Sequence, residues 1–137
     1  MAELSIYTLG GLRVQQGEKV LRISQQRAQA LLAHLAVERR SHPRETLASL
    51  LARSEADDQE ARKQLRYALW LLRRDVGVAG EPLVTTEDMV SLAPGIWVDV
   101  AEFEALAAGG DPEGWSRAAA LYRGPLLEGF HLAENLD

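Results

Sequence analysis

The sequence predicts an α+β fold: a small antiparallel sheet first, then three helices, then a β-hairpin, with short helices behind it. Three observations predict it. Apolar residues come in short alternating runs up to Ile23. They recur at helical spacing three times between Ser24 and Gly77. Two further short apolar runs then flank Glu87-Asp88. Period two marks strands, and period 3.6 marks amphipathic helices.

Leu4, Ile6 and Leu9 begin the first strand pattern, which breaks at Gly10-Gly11. Leu12 and Val14 resume it, Gln15-Gln16-Gly17-Glu18 reads as a turn, and Val20, Leu21 and Ile23 form a third run. Ser24 is placed to cap the first helix, where Ala28, Leu31, Leu32, Leu35 and Ala36 share one face. Ser41 is expected to cap the second helix, with Pro43 in its first turn and Leu47, Leu50 and Leu51 on its buried side. Residues 52–56 read as a loop.

The third helix, residues 57–76, is the most informative segment. Asp57 with Glu60 three positions later is an acidic variant of the capping box, and Gly77 marks the end. Ala61, Leu65, Ala68, Leu69, Leu72 and Val76 form its buried stripe. Arg62, Lys63, Arg66, Trp70, Arg73 and Arg74 fall on another face, within an arc of roughly 120°. Cations for phosphates and Arg forks for base edges are what a nucleic-acid reading helix needs.

After Gly80-Glu81-Pro82, the runs Leu83-Val84-Thr85-Thr86 and Met89-Val90-Ser91-Leu92 read as a hairpin, and Pro94-Gly95 ends the module. Asp99 and Glu102 form a second capping pair, backed by Phe103, Leu106 and Ala107. Gly109-Gly110 breaks that helix, Asp111-Pro112 starts another with Trp115, Ala118, Ala119 and Tyr122, and Gly124-Pro125 stops it before Leu126, Leu127 and Phe130. Sheet, three helices and hairpin is the order of a winged helix, with the third helix as reader and the hairpin as wing. The expected division is 1–97 for the winged helix and 98–137 for a helical segment that either packs on it or opens a further domain.

Composition agrees. An apolar fraction of 47% supplies a real core, and the absence of cysteine excludes disulfides and thiolate metal sites. The net charge is −5, but residues 1–97 hold 13 Lys and Arg against 12 Asp and Glu, and residues 98–137 hold 2 against 8. DNA binding by the first part would therefore depend on local arrangement rather than bulk charge. No signal peptide or membrane span is read, which predicts a cytoplasmic protein. His34, His42 and His131 share no ligand spacing, and no catalytic set or phosphate loop is present, so neither an enzyme nor a cofactor is expected.

At several places the chain resembles the SARP group of antibiotic-regulatory activators, whose OmpR-type winged helix precedes a bacterial transcriptional activation domain. The matching stretches are Ile6-Tyr7-Thr8-Leu9-Gly10-Gly11-Leu12-Arg13-Val14, Gln26-Arg27-Ala28-Gln29-Ala30-Leu31-Leu32-Ala33 and Ala61-Arg62-Lys63-Gln64-Leu65. Leu72-Arg73-Arg74, Leu83-Val84-Thr85-Thr86, Val98-Asp99-Val100-Ala101-Glu102-Phe103 and Leu121-Tyr122-Arg123-Gly124-Pro125-Leu126-Leu127-Glu128-Gly129-Phe130 continue the match. Their order and spacing cover nearly the whole chain. The resemblance implies an activator that binds double-stranded promoter DNA, as a dimer on direct repeats, and recruits RNA polymerase. It also implies that 98–137 is the start of a tetratricopeptide-like activation domain, so that the chain is a fragment of a longer protein. No phosphoacceptor receiver module is read ahead of the winged helix, so control by phosphorylation is not expected.

Three places depart from the family pattern. Its usual Ser-Arg-Leu-Arg-Arg reads Trp70-Leu71-Leu72-Arg73-Arg74 here, which puts Leu71 where an Arg is often aimed at DNA. The loop that usually begins Leu-Trp-Gly-Asp reads Leu51-Ala52-Arg53-Ser54, which departs from the loop linked to polymerase contact. The hairpin tip is Glu87-Asp88, which repels phosphate at close approach.

Arg62 and Arg66, one turn apart near the helix start, are the expected major-groove contacts, with Lys63 on the same stripe. Arg73 and Arg74 are expected at phosphates, and Thr85 and Thr86 of the wing are weaker candidates for phosphate. Trp70 is placed either against the sugar-phosphate backbone or a base methyl, or partly buried against the wing. Tyr67 and Leu71 are expected to pack under the hairpin. A second reading stays open: a winged-helix protein-interaction module that no longer reads DNA and offers Tyr67, Trp70 and Leu71 to a partner.

Overall fold

A computed structural model describes residues 4–52, 57–77 and 81–127. The expected loop residues Arg53 and Ser54, the turn residue Gly80, and Phe130 and His131 lie outside the described residues. Three strands come first: β1 (Leu4–Tyr7), β2 (Arg13–Gln16) and β3 (Lys19–Leu21). Then come α1 (Gln26–Val37), β4 (His42–Pro43), α2 (Arg44–Leu51) and α3 (Asp58–Val76). The hairpin is β5 (Leu83–Thr85) and β6 (Met89–Leu92), followed by β7 (Trp97–Val98), α4 (Asp99–Ala108) and α5 (Pro112–Leu121). This is the α+β winged-helix arrangement that the pattern predicts.

One sheet has the order β3-β2-β1-β7, antiparallel throughout except that β7 runs parallel to β1. The second has the order β4-β6-β5. Both sheets and the first three helices close on one apolar cluster, to which Ile6 and Val14, Leu31 and Leu35, Leu47 and Leu51, Leu65 and Leu72, and Leu83 and Val90 contribute. Each such side chain, fully buried, contributes about 1.5–3 kcal/mol. α3 is the hinge of this packing: Ala61, Leu65, Ala68, Leu69, Leu71, Leu72 and Val76 are all buried on one side.

Several local expectations give way to tertiary contacts. Gln15 and Gln16 belong to β2, opposite Val20 and Lys19, so the turn is only Gly17-Glu18. Ser24 does not cap α1, which starts after Gln25 without a side-chain cap. Its backbone N–H donates to Asp75 Oδ2 at 3.1 Å, and its hydroxyl accepts from Arg74 Nη2 at 3.0 Å, so it ties the end of β3 to the end of α3. Ser41 does not cap α2 either. Pro43 takes that position, and His42–Pro43 is instead a short strand beside β6. β4 lies at a sheet edge, where a residue without an N–H is tolerated.

Asp57 does cap α3 as expected, accepting from the Glu60 N–H at 2.8 Å. Gly77 ends the helix with φ −83°, outside the left-handed region, so it stops α3 without forming a left-handed cap. Asp111 caps α5 through Gly114, again as expected. Asp99 does not cap α4 and is fully buried. Its carboxylate accepts from the Thr8 N–H (2.7 Å), the Thr8 hydroxyl (2.8 Å) and the Leu9 N–H (2.9 Å), which clamps the start of α4 to the end of β1.

The C-terminal helices pack on the first unit: α4 lies against β1 and β7, and α5 against α4. The chain then returns to the loop after β1, where Gly10 N–H donates to Pro125 O at 3.1 Å. Gly10 has φ +88°, and a Cβ there would sit 2.8 Å from Arg123 Cβ, so glycine is required twice over.

Candidate nucleic-acid interface

The arc of α3 opposite the core runs from Arg62 to Tyr67, at about 100° per residue. Trp70 lies at its middle, with Arg62, Arg66 and Arg73 on one side and Lys63, Arg74 and Tyr67 on the other. The core stripe dictates this: with the leucines turned inward, the polar positions between them have only solvent to face. Arg62, Lys63, Arg66, Tyr67, Trp70 and Arg74 are all exposed.

These side chains differ in what already holds them. Arg62 Nη2 stands 3.6 Å from Glu45 Oε1 of α2, and both side chains are more than half exposed, so the pair holds Arg62 only weakly. Among the described residues, no hydrogen bond or ion pair engages Lys63 or Arg66. Arg73 is committed to the wing: Nε donates to Glu81 Oε1 at 3.1 Å and Nη2 to Thr85 Oγ1 at 2.8 Å. Arg74 is committed to the frame, with Nε donating to Asp75 Oδ1 and Nη2 to Ser24 Oγ, both at 3.0 Å. Burial raises the Asp75 pKa, but hydrogen bonds from the Ser24 N–H, from Arg74 and from the Ser24 hydroxyl outweigh it, so the carboxyl sits below its ordinary value.

Trp70 is not buried against the wing. It is 54% exposed, and Tyr67, expected under the hairpin, is 52% exposed. The two rings stack on each other, with centroids 5.9 Å apart and planes at 14°. The Arg74 guanidinium lies 5.3 Å from the Trp70 ring centroid. Leu71 goes the other way, into the core at 2% exposure. Position 71 therefore faces away from any ligand on the α3 surface, and Leu71 removes no cation from that surface. It also cannot serve the partner surface with Tyr67 and Trp70.

The wing is fastened to α2 by a residue the sequence reading missed. Arg44 N–H donates to Asp88 O at 2.8 Å, and Arg44 Nε donates to Thr86 O at 3.0 Å. Its position directly after Pro43, at a helix start, is the signal that was available. Thr86 Oγ1 accepts from the Met89 N–H at 3.0 Å and so shapes the turn, while Thr85 Oγ1 receives Arg73. Between α3 and the tip is a groove of about 470 Å³, lined by Arg62, Leu65, Arg66, Pro43, Glu87 and Asp88 among others. The tip carboxylates thus share a groove with the two arginines expected to read bases.

The histidine reading also changes. His34 and His42 have ring centroids 4.8 Å apart, although eight positions separate them. His42 is buried, with Nε2 at 2.8 Å from Glu38 O. Burial, then the neighbouring His42, lower the His34 pKa below its ordinary value. Among the described residues no group of three or more His, Asp or Glu side chains is placed to hold a metal, and no helix is long and apolar enough to cross a membrane.

The structure is similar to that of Mycobacterium tuberculosis EmbR, solved in complex with a low affinity phosphopeptide. The TM-score is 0.76 and the identity 24%, over 99% of this chain and 38% of that one. The likeness is one of fold, and this chain spans well under half the length of that neighbour. No protein-family model and no curated protein matches the chain by sequence.

Proposed function

We propose that this chain binds double-stranded DNA through the exposed face of α3, with the β5–β6 wing beside it, as the reading module of a bacterial transcription activator. One observation carries the reading. On the third helix of a winged helix, in a chain of net charge −5, Lys63 and Arg66 have no partner among the described residues and Arg62 has only a weak one. A duplex offers phosphates and guanine edges that match such cations. Arg62 and Arg66 are assigned to base edges and Lys63 to phosphate. Arg73, Arg74, Thr85 and Thr86 position the helix end and wing, and their remaining donors face phosphate.

The wider assignment follows the SARP resemblance: residues 1–97 as the DNA-binding unit, 98–137 as the start of a helical activation domain, a dimer on direct repeats, recruitment of RNA polymerase, and work in the cytoplasm. The acidic tip, Glu87-Asp88, favours the second reading, an interaction module without DNA binding. Selection of bound duplexes from a random library at low salt decides between them. An enriched repeat whose affinity falls steeply with salt supports the reader. No enrichment and no binding to bulk duplex would overturn it in favour of the interaction module.

A further inference from the structure

We infer that Trp70 is a specificity-determining residue that reads thymine 5-methyl groups in the major groove; the inference rests on the DNA-binding reading above. Lys63, Arg66 and Trp70 follow one another along α3 within a strip about 60° wide, taking about 100° per residue. A surface that lies along Lys63 and Arg66, unpartnered among the described residues, and runs on to the next turn therefore meets the indole. The indole is large, apolar and 54% exposed, which a helix face with a purely electrostatic task has no use for.

It is also held in place. Tyr67 stacks on it, Arg74 lies over it at 5.3 Å, and Arg74 is itself fixed by Asp75 and Ser24. A ring ordered in advance loses little freedom on binding. The apolar group that base edges present in the major groove is the thymine methyl, and an ordered aromatic ring is a surface that can cover it. Contact with a sugar instead would make Trp70 indifferent to sequence, so the two contacts separate experimentally.

The test uses a duplex enriched from the random library, with each thymine replaced singly by uracil. The exchange removes the methyl and leaves the hydrogen-bonding edges unchanged. At one or two positions the native chain should lose about four-fold in affinity, the weight of one buried methyl. Trp70→Ala should bind the thymine and uracil duplexes alike, while keeping the salt dependence of the native chain. If no uracil exchange changes the affinity of the native chain, or if Trp70→Ala keeps the full discrimination, the inference is overturned and the DNA-binding reading stands. If the native chain binds no duplex at any salt concentration, both fall together.

Discussion

The first half and the last turn of α3 carry the same kind of side chain and use it differently. Arg62, Lys63 and Arg66 stand on the first half with one weak ion pair among them to the described residues. Arg73 and Arg74 stand on the last turn, and each makes two hydrogen bonds, to Glu81 and Thr85 or to Asp75 and Ser24. They also sit where a cation complements the negative end of the helix. A stripe that looks uniform in sequence is therefore two devices. One half is free to meet a ligand, and the other fixes the wing and the N-terminal sheet to the helix end.

The largest expected effect tests the inner face of the same helix. Leu71→Arg would restore the basic residue common in the resembling family, but at a position that is 2% exposed. Burying an unpaired charge there should destabilise the fold by on the order of 3 kcal/mol or more and add nothing to duplex affinity. Denaturant unfolding and duplex titration together check it, and a stable variant with tighter binding would place position 71 on the ligand side.

On the outer face, Arg66→Ala should lower discrimination between the selected duplex and a point-changed one by about 1–3 kcal/mol. Its unfolding free energy should stay within about 0.5 kcal/mol of the native value. Arg73→Ala should show the reverse balance. Stability falls by about 1 kcal/mol, because its two hydrogen bonds are only partly screened, and base preference is kept. Equal behaviour of these two variants in both assays would erase the distinction between the halves of the stripe.

Two smaller effects sharpen it. Glu45→Gln releases Arg62 from its ion pair, so duplex affinity at low salt should rise a few-fold while the unfolding free energy moves by less than about 0.5 kcal/mol. The burial of His34, with His42 beside it, should appear as a pH effect on stability. With the His34 pKa lowered in the folded protein, the unfolded chain takes up the proton first as pH falls. Stability is then complete above the ordinary value of 6.5 and declines as pH drops below it toward the folded value. A His34→Gln variant should lose that part of the slope, and identical melting curves for both proteins from pH 8 to 5 would refute the assignment.

The inner and outer faces of α3, its Asp57 cap, the β5–β6 hairpin and the basic stripe were all legible in the sequence. Each is local: it rests on a period of 3.6 or 2, or on residues three apart, and the core only confirms what that periodicity demands. The partners of those residues were not legible. Ser24 looked like a cap and became the anchor of Arg74 and Asp75, some fifty positions away. Asp99 looked like a cap and became a buried clamp on Thr8, 91 positions away. β4 and β7 have two residues each, too few to show alternation, and exist because β6 and β1 offer them an edge. Which arginines are free and which are tied, and whether Tyr67 and Trp70 face out, depends on how the wing and the first sheet close around α3. The chain by itself determined the helices and the hairpin and the buried faces of α1 and α3, because those follow from spacing along the backbone. Tertiary structure alone decided which polar side chains were left without partners, because that depends on groups that only the closed fold brings together.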